Sequence, residues 1–203
     1  MADNYIEKQQ ELYEARKAAW KQAQKYGKKK STTVHPVKSA SCTPMASKPE
    51  TSPKRVFITG GAEGIGKAIV EAFCLSGDQV AFCDINETAG QETAKATGSI
   101  FHKVDVSDKD ALESCIQRIL SEWNDIDIIV NNVGISQFSS ITETSVEDFD
   151  KILSINLRPI FITSRLLAIH RKEQSSPNLY GRIINICSTR YLMSEPGSEG
   201  YAA

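Results

Sequence analysis

Residues 55–203 predict an α/β fold, a doubly wound parallel sheet with helices on both faces. Three observations carry the prediction. Short apolar stretches alternate with longer helical ones, a glycine-rich turn joins the first strand to the first helix, and an aspartate follows the second strand. Repeated strand–helix units with right-handed crossovers place the strands in parallel and cover both faces of the sheet.

The strand candidates are 55–59, 79–83, 99–104, 127–131 and 182–187. They are short, apolar and rich in Val, Ile and Phe, as strands buried on both faces must be. Helical stretches lie at 65–76, 87–97, 108–123 and 146–171. Upstream, residues 1–30 read as an amphipathic helix. Over 3–27 the pairs Tyr5/Ile6, Leu12/Tyr13 and Ala19/Trp20, then Tyr26, recur every seven residues and form one apolar stripe. Lys28, Lys29 and Lys30 close it, where cations suit the helix dipole. Packing on its own domain or a sister subunit is the preferred reading over a nucleic-acid or membrane-surface arm, because no aromatic–Arg interleaving accompanies the lysines. Residues 31–54 form a linker: thirteen of these 24 residues are Ser, Thr or Pro, which bury no core.

Composition bounds the classes. The 203 residues are 40% hydrophobic and 24% charged, which excludes wholesale disorder, collagen and a disulfide miniprotein. No apolar run approaches the ~18 residues of a membrane span, and the polar N-terminus is no secretory signal. The net charge of −1 hides a split: residues 1–54 carry eleven Lys and Arg against five Asp and Glu, and 55–203 carry 13 against 20. Cys42, Cys74, Cys83, Cys115 and Cys187 make no CxxC pair, so buried reduced thiols in a cytoplasmic protein are expected. No metal-ligand cluster and no nucleic-acid motif is present.

The chemistry begins at Thr59-Gly60-Gly61-Ala62-Glu63-Gly64-Ile65-Gly66. Such a turn permits positive φ, brings backbone N–H groups close to a pyrophosphate and aims a helix N-terminus at its charge. About twenty residues on, Asp84 can accept from ribose hydroxyls and repel a 2′-phosphate. Glu63 adds to that repulsion, so NAD is expected over NADP.

On these residues the chain resembles the short-chain dehydrogenase/reductase family, with its Rossmann-like fold and expected strand order 3-2-1-4-5. The spacing of Thr59, Gly60, Gly64, Ile65 and Gly66 is that family's cofactor motif. Asp105 and Val106 resemble the pair that holds the adenine. Asn131-Asn132-Val133-Gly134 resembles the family's Asn-Asn-Ala-Gly and adds Asn132 and Gly134 to the cofactor site. Asn156 matches the helix asparagine that holds a proton-relay water, Ser188 the serine that binds the substrate oxygen, and Tyr201, thirteen residues later, the proton-transferring tyrosine. Arg190, Tyr191, Leu192 and Met193 fall where the family lines its substrate mouth. The resemblance implies hydride transfer between NAD(H) and a carbonyl or secondary alcohol, with tyrosine as general acid in reduction and base in oxidation. A sugar, a steroid, an acyl ketone and other secondary alcohols remain open as substrate.

The family's lysine, four residues after the tyrosine, would fall beyond Ala203. The expectation is therefore a fragment or incomplete gene product that lacks later strands, binds NAD weakly and transfers little hydride. It is expected to leave its last strand an exposed edge, with Tyr201 on a frayed terminus. A homo-oligomer is expected of a full-length form and not of this chain. The alternative reading is a non-catalytic dinucleotide-binding or interaction module. The ordered set Asn156, Ser188 and Tyr201 favours the enzyme.

Overall fold

The computed structural model describes Ala18 and residues 52–174, 180–191 and 196–202. The helix expected over 1–30, apart from the helical Ala18, and the linker up to residue 51 lie outside the described residues. The compact unit that carries the sheet runs Ser52–Ala203, so it starts three residues ahead of the expected boundary.

Five strands form one parallel sheet: β1 Arg55–Thr59, β2 Gln79–Asp84, β3 Ile100–Lys103, β4 Ile128–Asn131 and β5 Arg182–Asn185. Their order is β3-β2-β1-β4-β5, as the resemblance implied. Six helices accompany them among the described residues: α1 Gly64–Leu75, α2 Glu87–Thr97, α3 Lys109–Trp123, α4 Val146–Asn156, α5 Arg158–Glu173 and the short α6 Glu199–Ala202.

Strand alternation builds two cores. Val56 and Ile58 face one layer with Val80, Phe82 and Val130, and Val70 of α1 closes it. Phe57, Ala81 and Ile129 face the other, against Leu112 and Ile116 of α3 and Ile162 and Leu166 of α5. Each large side chain so buried is worth roughly 1.5–3 kcal/mol. At the N-terminal ends of β1 and β4 the Arg55 guanidinium bonds Asp127 at 2.9 Å and Asp125 at 3.3 Å. Arg171 of α5 bonds the other oxygen of Asp125 at 3.0 Å. Burial opposes the charge on Asp127, but its bonds from Arg55 outweigh that and hold its carboxyl below the usual range.

Two expectations are corrected. The helical stretch 146–171 is two helices that part at Leu157. Pro159 has no N–H to give the Ile155 carbonyl, so the ladder breaks there. The strand expected over 182–187 stops at Asn185, after which one more ladder bond runs from Ile186 N–H to the Asn131 carbonyl at 2.9 Å. The β5 edge is half-exposed at Ile183 and Ile184.

The sequence reading also found no apolar run of membrane-spanning length. Val146–Glu173, the 28 residues that cover α4 and α5, is long and apolar enough to cross a membrane, with an 18-residue window of mean hydropathy 1.4. Its residues Ile152, Ile162, Leu166 and Leu167 are buried in the fold. On its outer side Leu153, Leu157, Arg158 and Phe161 line a groove of about 820 Å³.

Candidate functional site

The strands are parallel, so Thr59, Asp84, Asn131 and Asn185 all end at one edge of the sheet, and the candidate residues gather there. The turn after β1 is fastened to its neighbours. Gly60 and Gly61 N–H both donate to the Cys83 carbonyl, at 2.8 and 3.3 Å. Thr59 is buried, and its hydroxyl accepts from the Asn132 and Val133 N–H groups at 3.0 and 3.2 Å. The Asn132 amide donates to the Thr59 and Gly60 carbonyls at 3.1 and 3.0 Å. These two side chains thus tie β1 to β4 and fix the turn.

Gly66 is forced by close approach: a Cβ there would stand 1.8 Å from the Gly60 carbonyl oxygen. Gly64 is different. Its φ is +57°, and a Cβ would meet nothing within 4 Å, so the space over the turn is open. Ile65 stands exposed beside it. Helix α1 begins there with no side-chain cap and no acid in its first turn, whereas α2, α3 and α4 are capped by Asn86, Asp108 and Ser145. Free first-turn N–H groups beside that open space suit a pyrophosphate.

Asp84 is held at both oxygens. One accepts from Ala62 N–H and the other from Asn86 N–H, each at 3.0 Å. A carboxylate has about four acceptor sites, so ribose hydroxyls can still be received. The Asn86 amide donates to Glu63 at 3.1 Å and keeps that second acid at the same rim. Lys103 pairs with Asp84 across β2 and β3, and its ammonium is bonded to Glu87 at 2.8 Å. Past β3, one Asp105 oxygen accepts from the Ser107 N–H and hydroxyl at 2.8 and 2.7 Å. Val106 is buried in the core, so its backbone alone can face a ligand.

The catalytic candidates come from three elements. Asn156 ends α4, and its amide is tied to one peptide: the oxygen accepts from Ile135 N–H at 2.8 Å and the nitrogen donates to the Ile135 carbonyl at 2.9 Å. A Cβ on Gly134 would lie 3.7 Å from that oxygen. Ser188 follows β5, and its hydroxyl oxygen accepts from Arg190 N–H at 3.2 Å, which leaves the O–H to donate elsewhere. Tyr201 lies in α6, half-buried, with its N–H on the Ser198 carbonyl at 3.1 Å. The frayed terminus expected for Tyr201 is thus replaced by a helical turn. Helix α6 contacts both α4 and the 3₁₀ turn Thr189–Tyr191, so the elements carrying Asn156, Ser188 and Tyr201 meet.

The rim is closed by contacts that sequence reasoning missed. Ser139 N–H donates to the Gly197 carbonyl at 2.9 Å, and the Arg190 guanidinium lies 5.5 Å above the Phe138 ring. Thr93, buried in α2, donates to the Ala62 carbonyl at 2.9 Å. An asparagine just ahead of a helix is a capping signal that could have flagged Asn86; nothing local flags Thr93. Leu192 and Met193 lie outside the described residues. Among the described residues no cluster of metal-ligating side chains occurs. Of the thiols expected to be buried, Cys83, beneath the turn, and Cys115 are so and are pushed up by burial, Cys115 to about 11, whereas Cys74 is half-buried and Cys187, just past the end of β5, is exposed. Cys83 and Cys115 are therefore inert.

The chain is 33% identical to an uncharacterised oxidoreductase of Thermotoga maritima over 155 residues, which is 74% of the chain and 59% of that protein. It is equally 33% identical to a 3-oxoacyl-(acyl-carrier-protein) reductase of Chlamydia pneumoniae, across 74% of the chain and 61% of the relative. It thus spans about three fifths of these relatives' length. A 3-ketoacyl-(acyl-carrier-protein) reductase of Brucella melitensis complexed with NADH superposes with a TM-score of 0.68 at 26% identity, over 73% of this chain and 63% of that one. A short chain dehydrogenase of Burkholderia cenocepacia in complex with NADP gives 0.67 at 27%, over 73% and 61%. The family profile described as short chain dehydrogenase matches residues 54–203, the length of the sheet-bearing unit. The chain belongs to the short-chain dehydrogenase family.

Proposed function

We propose that the chain serves an oxidoreductase that moves hydride between NAD(H) and a carbonyl or secondary alcohol. The observation that carries this reading is the glycine turn at the uncapped start of α1, open over Gly64 and with Asp84 bonded to its Ala62 N–H. The bound nicotinamide would supply or accept the hydride. Gly60, Gly64, Ile65 and Gly66 would border the pyrophosphate, Asp84 the adenosine ribose, and Asp105 and Val106 the adenine. Thr59 and Asn132 support that site by fixing the turn.

In reduction the substrate carbon gains hydride and its oxygen needs a proton. The Ser188 O–H donates a hydrogen bond to that oxygen as charge develops. The Tyr201 O–H gives the proton, and takes it back in oxidation. The Asn156 side chain is tied to Ile135, so a relay water would meet its backbone carbonyl. Ile160 N–H donates to the Leu157 carbonyl, at 3.1 Å, and leaves that of Asn156 open.

NAD is favoured over NADP by two acids, Asp84 and Glu63, at one rim. The nearby Lys103 faces Glu87, at 2.8 Å, which adds a third acid to that side of the site. Titration of the chain with NADH and NADPH tests this. NADH should bind more tightly, and Asp84→Ser should narrow the gap by about tenfold, the effect of removing one charged hydrogen-bonding partner. Tighter binding of NADPH to the unaltered chain would refute the assignment.

A further inference from the structure

We propose that Arg158 is a positioning residue for the turn 105–107 and so sets how tightly the adenine half of the cofactor is held. The inference rests on the reading that Asp105 and Val106 border the adenine.

Arg158 is the first residue of α5, where the helix dipole disfavours a cation. The helix has no side-chain cap and no acid in its first turn to offset that charge, whereas α2, α3 and α4 each carry an acid in the first turn, which in α3 offsets Lys109. A residue that breaks a local rule points to a gain elsewhere. Here the gain is visible. The guanidinium reaches across 51 positions of sequence to the Ser107 carbonyl, at 2.7 Å.

Ser107 is the residue that clamps Asp105, through its N–H and its hydroxyl on the same Oδ1. The other oxygen, Oδ2, takes no hydrogen bond among the described residues and is the acceptor left for a ligand. The turn is otherwise held by buried Val104 and Val106 before Ser107, and after it by Asp108, whose side chain caps α3 through Asp110 and Ala111. These contacts fix the chain on either side of Ser107. The peptide that bears the Ser107 carbonyl is held at both ends: its Asp108 N–H donates to the Asp105 carbonyl at 3.1 Å, and its oxygen accepts from Arg158. A charge-assisted bond to a backbone carbonyl is stronger than a neutral one, so it holds that peptide, and with it the Asp105 carboxylate, in one orientation. Arg158 touches neither the cofactor nor the reacting atoms; it acts through Ser107 and Asp105.

The test is a double-mutant cycle on the 203-residue chain, read by calorimetric titration with ADP-ribose, the cofactor without its nicotinamide. Arg158→Met should weaken ADP-ribose binding by about three- to tenfold, the span of one such hydrogen bond. Arg158→Lys, which keeps a donor, should recover part of that loss. In an Asp105→Ala background the Arg158→Met substitution should change little, because its effect passes through the carboxylate. Unchanged affinity in Arg158→Met would overturn the proposal, and so would an equal loss in both backgrounds. Failure of the unaltered chain to bind ADP-ribose would instead remove the adenine assignment, and the proposal with it.

Discussion

Gly64 and Gly66 stand two residues apart in one turn and answer to opposite constraints. At Gly66 the fold leaves no room, since an added Cβ would stand 2.7 Å from the Asn132 amide nitrogen besides striking the Gly60 carbonyl. Backbone must then move, and Gly66→Ala should cost about 3 kcal/mol or more of stability. At Gly64 the room is there and only the positive φ resists, a strain of about 1 kcal/mol. The new methyl would enter the space proposed for the pyrophosphate. Thermal melts with NADH titration separate the two. Gly66→Ala should lose both stability and binding, and Gly64→Ala chiefly binding. Equal losses of melting temperature would contradict the geometry. The two glycines were legible in the sequence because only glycine meets either demand. The work of Thr59, Asn132 and Asn156 was not. The same side chains could face a ligand or the fold, and the choice depends on register between segments as far as 73 positions apart.

Strands announce themselves by composition: β1, β2 and β4 are largely buried apolar runs, whereas the outer strands β3 and β5 are half-buried to exposed and show only a few apolar residues. The break between α4 and α5 was also written in the sequence, as Pro159 inside a helical pattern, and was passed over for the periodicity around it. What no local pattern gave is the joint between α5 and the sheet. Arg171 looks like an ordinary last-turn cation. In the fold its guanidinium bonds Asp125, which is 4% exposed, and the Ile126 carbonyl at 2.7 Å. Asp125→Asn removes the anion shared by Arg171 and Arg55. Breaking such a pair should cost about 3 kcal/mol, more than its net contribution, because two partly buried cations lose the anion they share. Glu113→Gln, which removes the anion facing the exposed Lys109, should leave stability almost unmoved, because solvent screens such a pair. Urea unfolding checks both, with the midpoint falling at constant slope for Asp125→Asn. If the two variants moved the midpoint alike, the network would not be what joins α5 to β4.

Stability of the whole molecule should carry a mark of one histidine. His102 lies on β3 with Nε2 buried and without a hydrogen-bond partner among the described residues. Burial holds its pKa below the ordinary 6.5, Arg118 lowers it further, and Glu122 opposes them. In the unfolded chain the ring takes a proton near 6.5, whereas in the folded chain it waits for a lower pH. The unfolded state therefore binds more protons in that window, and stability rises with pH across it. The contribution is complete above 6.5 and is lost as pH falls through the folded pKa. Asp127 opens a second window lower down. Its carboxyl is held below the ordinary 3.8, so its share is complete above that value and fades only in stronger acid. The two windows do not overlap at their upper ends, which lets them be told apart. Urea unfolding at half-unit steps from about pH 7.5 to 4.5 should show a decline that begins near 6.5 in the unaltered chain and is flattened in His102→Gln. Asp127→Asn should lower stability at neutral pH while keeping the decline. A His102→Gln chain that loses stability with the same slope between about 6.5 and 5 would show that the burial of this ring does not govern the neutral-to-acid response.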